Sequence, residues 1–175
     1  RESVFLNIDF MSRASYAAAC TYPSSQRHME KRSGTRNHSQ PITTEPYIKS
    51  GALQLVVYPQ TPTVWESVYR GMKMVVANTT SDTMFFNAQD GDIAMNLQAL
   101  NSRGQWADIE YVPNSWCGNS YHTVFLAPNE LWDYSIPAFQ GAIKTRIRTR
   151  LKYKKSFNQE VPDILYSNEI IGYVN

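Results

Sequence analysis

The stretch Ser115-Trp116-Cys117-Gly118-Asn119-Ser120-Tyr121-His122 sets a thiol five residues ahead of an imidazole. A thiolate nucleophile with histidine as its base needs the two side chains in direct contact and a third group to orient the ring. On an extended segment, residues five apart point to opposite faces and stand roughly 15 Å apart at about 3.3 Å per residue. Only a tight loop could join them, and Gly118-Asn119 supplies residues that tolerate positive φ. No local signature of a cysteine hydrolase surrounds the pair. The preferred reading is a buried or disulfide-bonded Cys117 followed by a histidine on the next strand. A thiol-dependent hydrolase using Cys117 and His122 is the alternative.

A second constellation is the run from Lys144 to Tyr153. Arg146, Arg148 and Arg150 alternate with Ile147, Thr149 and Leu151, so a strand would hold the arginines about 6 to 7 Å apart on one face. Such a row suits carboxylates, sulfates or phosphates. The plainer reading is a solvated sheet face neutralised by acids of a neighbouring strand, such as Asp92, Asp108 or Glu110. Asp108 and Glu110 share a parity about 7 Å apart, the ingredients of glycoside chemistry, but without companion groups they read as exposed strand residues. Trp106, Trp116, Trp132 and Tyr134 suit a sugar platform or, more commonly, a core. His28 and His38 have no cysteine or carboxylate at ligand spacing, so neither a metal nor a cofactor is expected.

The elements that must carry these groups read as strands. Residues 1 to 10, Leu53 to Tyr58 before Pro59, Val68 to Ala77, Asp92 to Leu100, Gln105 to Val112, His122 to Leu126, Leu131 to Ile136 and Lys144 to Tyr153 alternate or run apolar between Gly, Pro and Asn turns. No amphipathic helix stands out. The expected fold is all-β, an antiparallel β-sandwich forming one domain over residues 1–175, with a long polar surface loop over 22–46 and a C-terminal tail over 157–175.

Composition narrows the partners. Seventeen basic and fifteen acidic residues leave a formal charge of +2, too balanced for a nucleic-acid protein, and no stacking motif of a known RNA- or DNA-binding module accompanies the arginines. No apolar run reaches the roughly 18 residues of a membrane helix, and no signal peptide is expected at Arg1-Glu2-Ser3-Val4. The absent initiator methionine is expected to reflect removal of an upstream segment, which leaves open membrane anchoring through such a signal. Cys20 and Cys117 lie too far apart for a metal knuckle. Paired, they would close a loop worth about 4 kcal/mol in an oxidising compartment; in the cytosol two buried thiols are expected.

The order from Met72 to Tyr153 comprises an apolar strand, an Asn-Thr turn, a hairpin, the Trp116-Cys117-Gly118 loop, the Leu126-Ala127-Pro128-Asn129-Glu130 turn, a Trp/Tyr strand and a strand of alternating arginines. This order resembles immunoglobulin-like β-sandwich domains of exported proteins of the Bacteroidota, secreted or lipoprotein-type, over roughly half the chain. The resemblance implies an immunoglobulin-like sandwich in an extracytoplasmic location, and it tilts the cysteines towards a Cys20–Cys117 disulfide. It also makes Asp82-Thr83-Met84 similar to that group's O-glycosylation pattern, while Asn37-His38-Ser39 and Asn78-Thr79-Thr80 match the N-glycosylation tripeptide. The function expected is a non-catalytic binding or assembly module for a protein partner or a surface glycan. Its contacts would be Arg146, Arg148 and Arg150 with Trp116 and Tyr121. A structural subunit of a larger assembly is a further alternative.

Overall fold

The computed structural model describes residues 6–7, 16–20, 37–110 and 121–175. Among these residues the chain is all β, without a helix. Four strands make one sheet: β2 (Gln40–Pro41), β10 (Glu130–Pro137), β4 (Tyr69–Asn78) and β3 (Leu53–Trp65), in the order β2-β10-β4-β3. A second sheet runs β13-β12-β7-β8 from β13 (Asp163–Tyr166), β12 (Ile143–Tyr153), β7 (Met95–Leu100) and β8 (Trp106–Asp108), with β14 (Ile170–Val174) also on β12. A third has the order β6-β5-β9, from β5 (Met84–Gln89), β6 (Asp92–Ile93) and β9 (Tyr121–Leu126). Pairing is antiparallel throughout these sheets; β1 (Leu6–Asn7) and β11 (Phe139–Gln140) pair in parallel, as do Cys20 and His38 in an isolated bridge.

The second and third sheets are continuous in their hydrogen bonding. Ala94 alone separates β6 from β7, and just beyond β12 the backbones of Phe85 and Lys154 exchange bonds of 2.9 and 2.7 Å. The tight β5–β6 connection is Asp90-Gly91, both at positive φ (54° and 95°), the conformation a two-residue hairpin requires and a pair of residues that tolerates it.

The strands form because apolar side chains recur with period two and meet in one core. Leu55, Val57, Met74, Val76, Trp132 and Ile136 from the first sheet pack with Leu97, Ile147, Leu151, Phe86 and Leu126 from the others, all buried. Antiparallel sheets sharing one apolar core are the arrangement of a β-sandwich. The opposite parity of the first sheet carries Tyr58, Val75, Ala77 and Leu131, a smaller cluster against which Ile42 and Ile48 pack. Lys73 anchors that covering segment, with Nζ 2.7 Å from Glu45 and 3.5 Å from Asp133.

Several sequence expectations change here. Within the span 22–46, described from residue 37, Thr43, Thr44 and Pro46 are exposed as a surface loop would be, but part of the segment is tied to the sheet. Ser39 is buried, Gln40–Pro41 pairs with β10, and Ile42 packs on the sheet, because the outer face of β4 and β10 is itself apolar. The span 157–175 contains β13 and β14, which complete the second sheet along the edge of β12 away from β7. β5 lacked an expectation altogether, and β3 continues through Pro59 and Pro62. The ladder slips between Tyr58 and Pro62, and an edge strand loses little to proline. That edge is closed by a side chain: Val57 N–H donates to Asn168 Oδ1 (2.8 Å) and Asn168 Nδ2 donates to Val57 O (3.0 Å).

β14 lies close against the core because it carries glycine. A Cβ at Gly172 would collide with Cδ1 of buried Ile147 and stand 3.0 Å from its Cγ1. Gly172→Ala is expected to destabilise the protein by about 1–3 kcal/mol through overpacking. In urea unfolding, Ile147→Val, which removes that methyl, should make the Gly172→Ala cost smaller than in the wild type. Equal costs in both backgrounds would place the strain elsewhere.

Candidate binding face

β12 presents two faces of opposite character. Ile147, Thr149 and Leu151 are buried, while Lys144, Arg146 and Lys152 are exposed and Arg148 and Arg150 half-buried. The strand forms as its period-two pattern demands, and β7 on one side with β13 and β14 on the other fix what each cation meets.

Arg148 is held most tightly. Its Cζ lies 4.1 Å from the ring centroid of Trp106 on β8 and 3.7 Å from that of Tyr166 on β13, so the guanidinium is flanked by two aromatic rings. Its Nε donates to Gln98 Oε1 at 3.1 Å, and among the described residues Nη1 and Nη2 have no acceptor. Arg150 reaches the same network: Nε donates to Asn96 Oδ1 (3.2 Å), Nη2 lies 3.1 Å from Asp108 Oδ2, and Gln98 Nε2 donates to Asp108 Oδ1 (2.8 Å). Burial works against the Asp108 carboxylate. Hydrogen bonds from Gln98 and Asn96 and the Arg150 charge prevail and hold it below its ordinary range. Arg146 pairs with Glu169 at 2.8 Å, both exposed, a contact worth little in water. Lys144 and Lys152 have no acidic partner among the described residues. Five cations against the carboxylates of Asp108 and Glu169 make this face strongly positive, although the whole chain carries only +2.

Beside the cations runs a second row. Tyr173 stands opposite Lys144, Ile171 opposite Arg146, Tyr166 opposite Arg150 and Ile164 opposite Lys152. These four side chains are 45, 59, 42 and 50% exposed. The sequence reading missed this row because it fell in the span taken as a tail, though Ile170-Ile171-Gly172-Tyr173-Val174 is short, apolar and bounded by polar residues, as strands are. By strand alternation Asn96 and Gln98 point away from Met95, Leu97 and Ala99. They do face outward but are only 5% exposed, among the arginine side chains to which they bond.

The remaining sequence candidates do not join this face. Tyr121 is half-exposed on β9 opposite Gln89, in a sheet that does not pair β9 with β12, and Trp116 lies outside the described residues. His122 is on β9 opposite Ala88; its proposed partner Cys117 lies outside the described residues, as does the Cys20–Cys117 pairing. Cys20 is buried, and its backbone N donates to Asn37 O (2.7 Å) while its carbonyl accepts Trp132 Nε1–H (2.9 Å). Asp92 lies on β6 opposite Gln89. Asn78 is fully buried, donating to Asp82 O and Leu126 O, so its tripeptide is not a glycan acceptor.

Glu110 is a correction. It is buried, not an exposed strand residue, because β8 ends at Asp108 and the chain turns inward. Its Oε2 accepts Tyr16 O–H (2.6 Å) and Leu97 N–H (2.7 Å), standing where a ladder carbonyl would, and Oε1 has no partner among the described residues. Burial pushes its pKa up to about 7, opposed by the Tyr16 and Leu97 hydrogen bonds and aided slightly by Asp108.

Among the described residues no cluster of three His, Cys, Asp or Glu is arranged to hold a metal ion, and no helix is long and apolar enough to cross a membrane. No protein-family model matches the chain, and neither a curated protein nor a solved structure does.

Proposed function

We propose that this chain is a non-catalytic binding or assembly module that captures an anionic partner, a protein or a surface glycan, through the outer face of β12. The observation that carries this reading is the Arg148 guanidinium, flanked by Trp106 and Tyr166 with both Nη atoms unused by the described residues. A cation so ordered loses little further entropy when it grips an oxyanion. We further infer an immunoglobulin-like sandwich in an extracytoplasmic setting. Its support is the strand order from Met72 to Tyr153 and a tryptophan, Trp132, at the centre of the core.

Arg146 and Arg150 are tied into ion pairs, so the exposed lysines are the cleaner probes. Lys144→Glu/Lys152→Glu should elute from an immobilised polyacrylate matrix at much lower salt than the wild type. Lys49→Glu/Arg103→Glu makes the same charge change at exposed positions elsewhere and should shift elution far less. Equal shifts would mean that only net charge matters and that the face is not a site.

A further inference from the structure

This inference rests on the reading above and narrows its partner. We propose that the outer face of β12 binds an extended acidic glycan, a chain of linked sugar rings bearing carboxylate or sulfate groups.

The face is linear and two-rowed. From Lys144 to Lys152 the cations span about 26 Å at roughly 3.3 Å per residue, and the apolar row of Tyr173, Ile171, Tyr166 and Ile164 runs beside them in register. A glycan strand offers the complement, with anionic substituents at ring edges for the cations and C–H faces for the aromatic and aliphatic side chains. Arg148 sits mid-row, its planar fork set to take one oxyanion bidentately.

An acidic peptide fits less well. Extended peptides are usually held through their own backbone groups at a sheet edge. β12 is an interior strand, paired with β7 on one side and with β13 and β14 on the other, so this face offers side chains alone. Single-stranded nucleic acid binds by stacking successive bases on aromatic rings, whereas two of the four side chains in the exposed row, Ile171 and Ile164, are aliphatic, and Trp106 and Tyr166 each turn one face to Arg148.

The test is calorimetric titration of the whole chain with polygalacturonate, dextran sulfate, neutral dextran, poly-L-glutamate and oligothymidylate at two salt concentrations. Binding to polygalacturonate or dextran sulfate at least tenfold tighter than to poly-L-glutamate or oligothymidylate is expected, with none to neutral dextran. Lys144→Ala/Lys152→Ala and, separately, Arg148→Met should each weaken it at least tenfold. The lysine variant removes no ion pair among the described residues, so its melting temperature should match the wild type and separate lost binding from lost folding. Equal or tighter binding to poly-L-glutamate or oligothymidylate would overturn the glycan assignment while leaving an anion-binding face. No binding to any polyanion, or binding unchanged in both variants, would overturn that face as well.

Discussion

Trp132→Ala is expected to bring the protein close to its unfolding threshold. Trp132 is fully buried at the centre of the core, edge-on to equally buried Phe86 with ring centroids 5.1 Å apart at 71°. Removing so large a side chain costs about 3–5 kcal/mol in lost transfer energy and cavity. It also removes the indole N–H that Cys20 O accepts, a hydrogen bond with a net worth of about 1 kcal/mol. The combined loss approaches the lower end of an ordinary domain's whole stability, about 5–15 kcal/mol. Trp132→Phe keeps most of the ring and loses the donor, so it should cost less than half as much in urea unfolding. A Trp132→Ala variant as stable as Trp132→Phe would show that the core collapses around the site and that the hydrogen bond, not the packing, is what Trp132 contributes.

The second large effect is a dependence of stability on pH set by Glu110. In the unfolded chain its carboxyl loses a proton near 4.5; in the fold it keeps that proton until about 7. Between those values the unfolded state has released a proton that the native state still binds, so raising the pH favours unfolding. Stability from this group is therefore greatest below 4.5, falls across the interval and is flat above about 7. A shift of this size corresponds to about 3 kcal/mol at roughly 1.4 kcal/mol per unit. Asp108, whose pKa is lowered, acts with the opposite sign and at lower pH. Glu110→Gln has no proton to lose, so subtracting its stability profile from that of the wild type isolates the term. The difference should change by about 3 kcal/mol between pH 4.5 and pH 7.5. Parallel profiles would mean that Glu110 is ionised in the fold and that Tyr16 and Leu97 stabilise the charge fully.

The strand character of most of the chain was legible because it is local. In Lys144 to Tyr153 apolar side chains alternate with polar ones and the buried parity is the one the sequence pattern marks, whereas in Met95 to Ala99 the apolar parity enters the core but Asn96 and Gln98 on the other parity are buried as well. Less legible were strands whose side chains depart from alternation. β5 carries Phe85 and Phe86 in succession, because Phe86 enters the core while Phe85 packs against Phe125 and Phe157 on the other face. The two-residue turn at Asp90-Gly91 was a usable signal for that hairpin.

From composition and periodicity alone follow an all-β chain, the inward parity of β12 and a row of cations on its other side, since side-chain direction alternates along any strand. What β12 meets across its edges is not local information. Glu169 and Tyr166 are 23 and 18 residues from the cations they touch by chain numbering, and Trp106 lies 42 before Arg148. Only the folding of β8 and β13 onto opposite sides of the same sheet flanks Arg148 with aromatic rings, pairs Arg146 and Arg150 with acids and leaves Lys144 and Lys152 without an acidic partner among the described residues. Burial of Glu110 has the same origin. Its charge state depends on a tyrosine 94 residues away and on the low polarizability of the surrounding core, quantities that exist only once distant segments have packed.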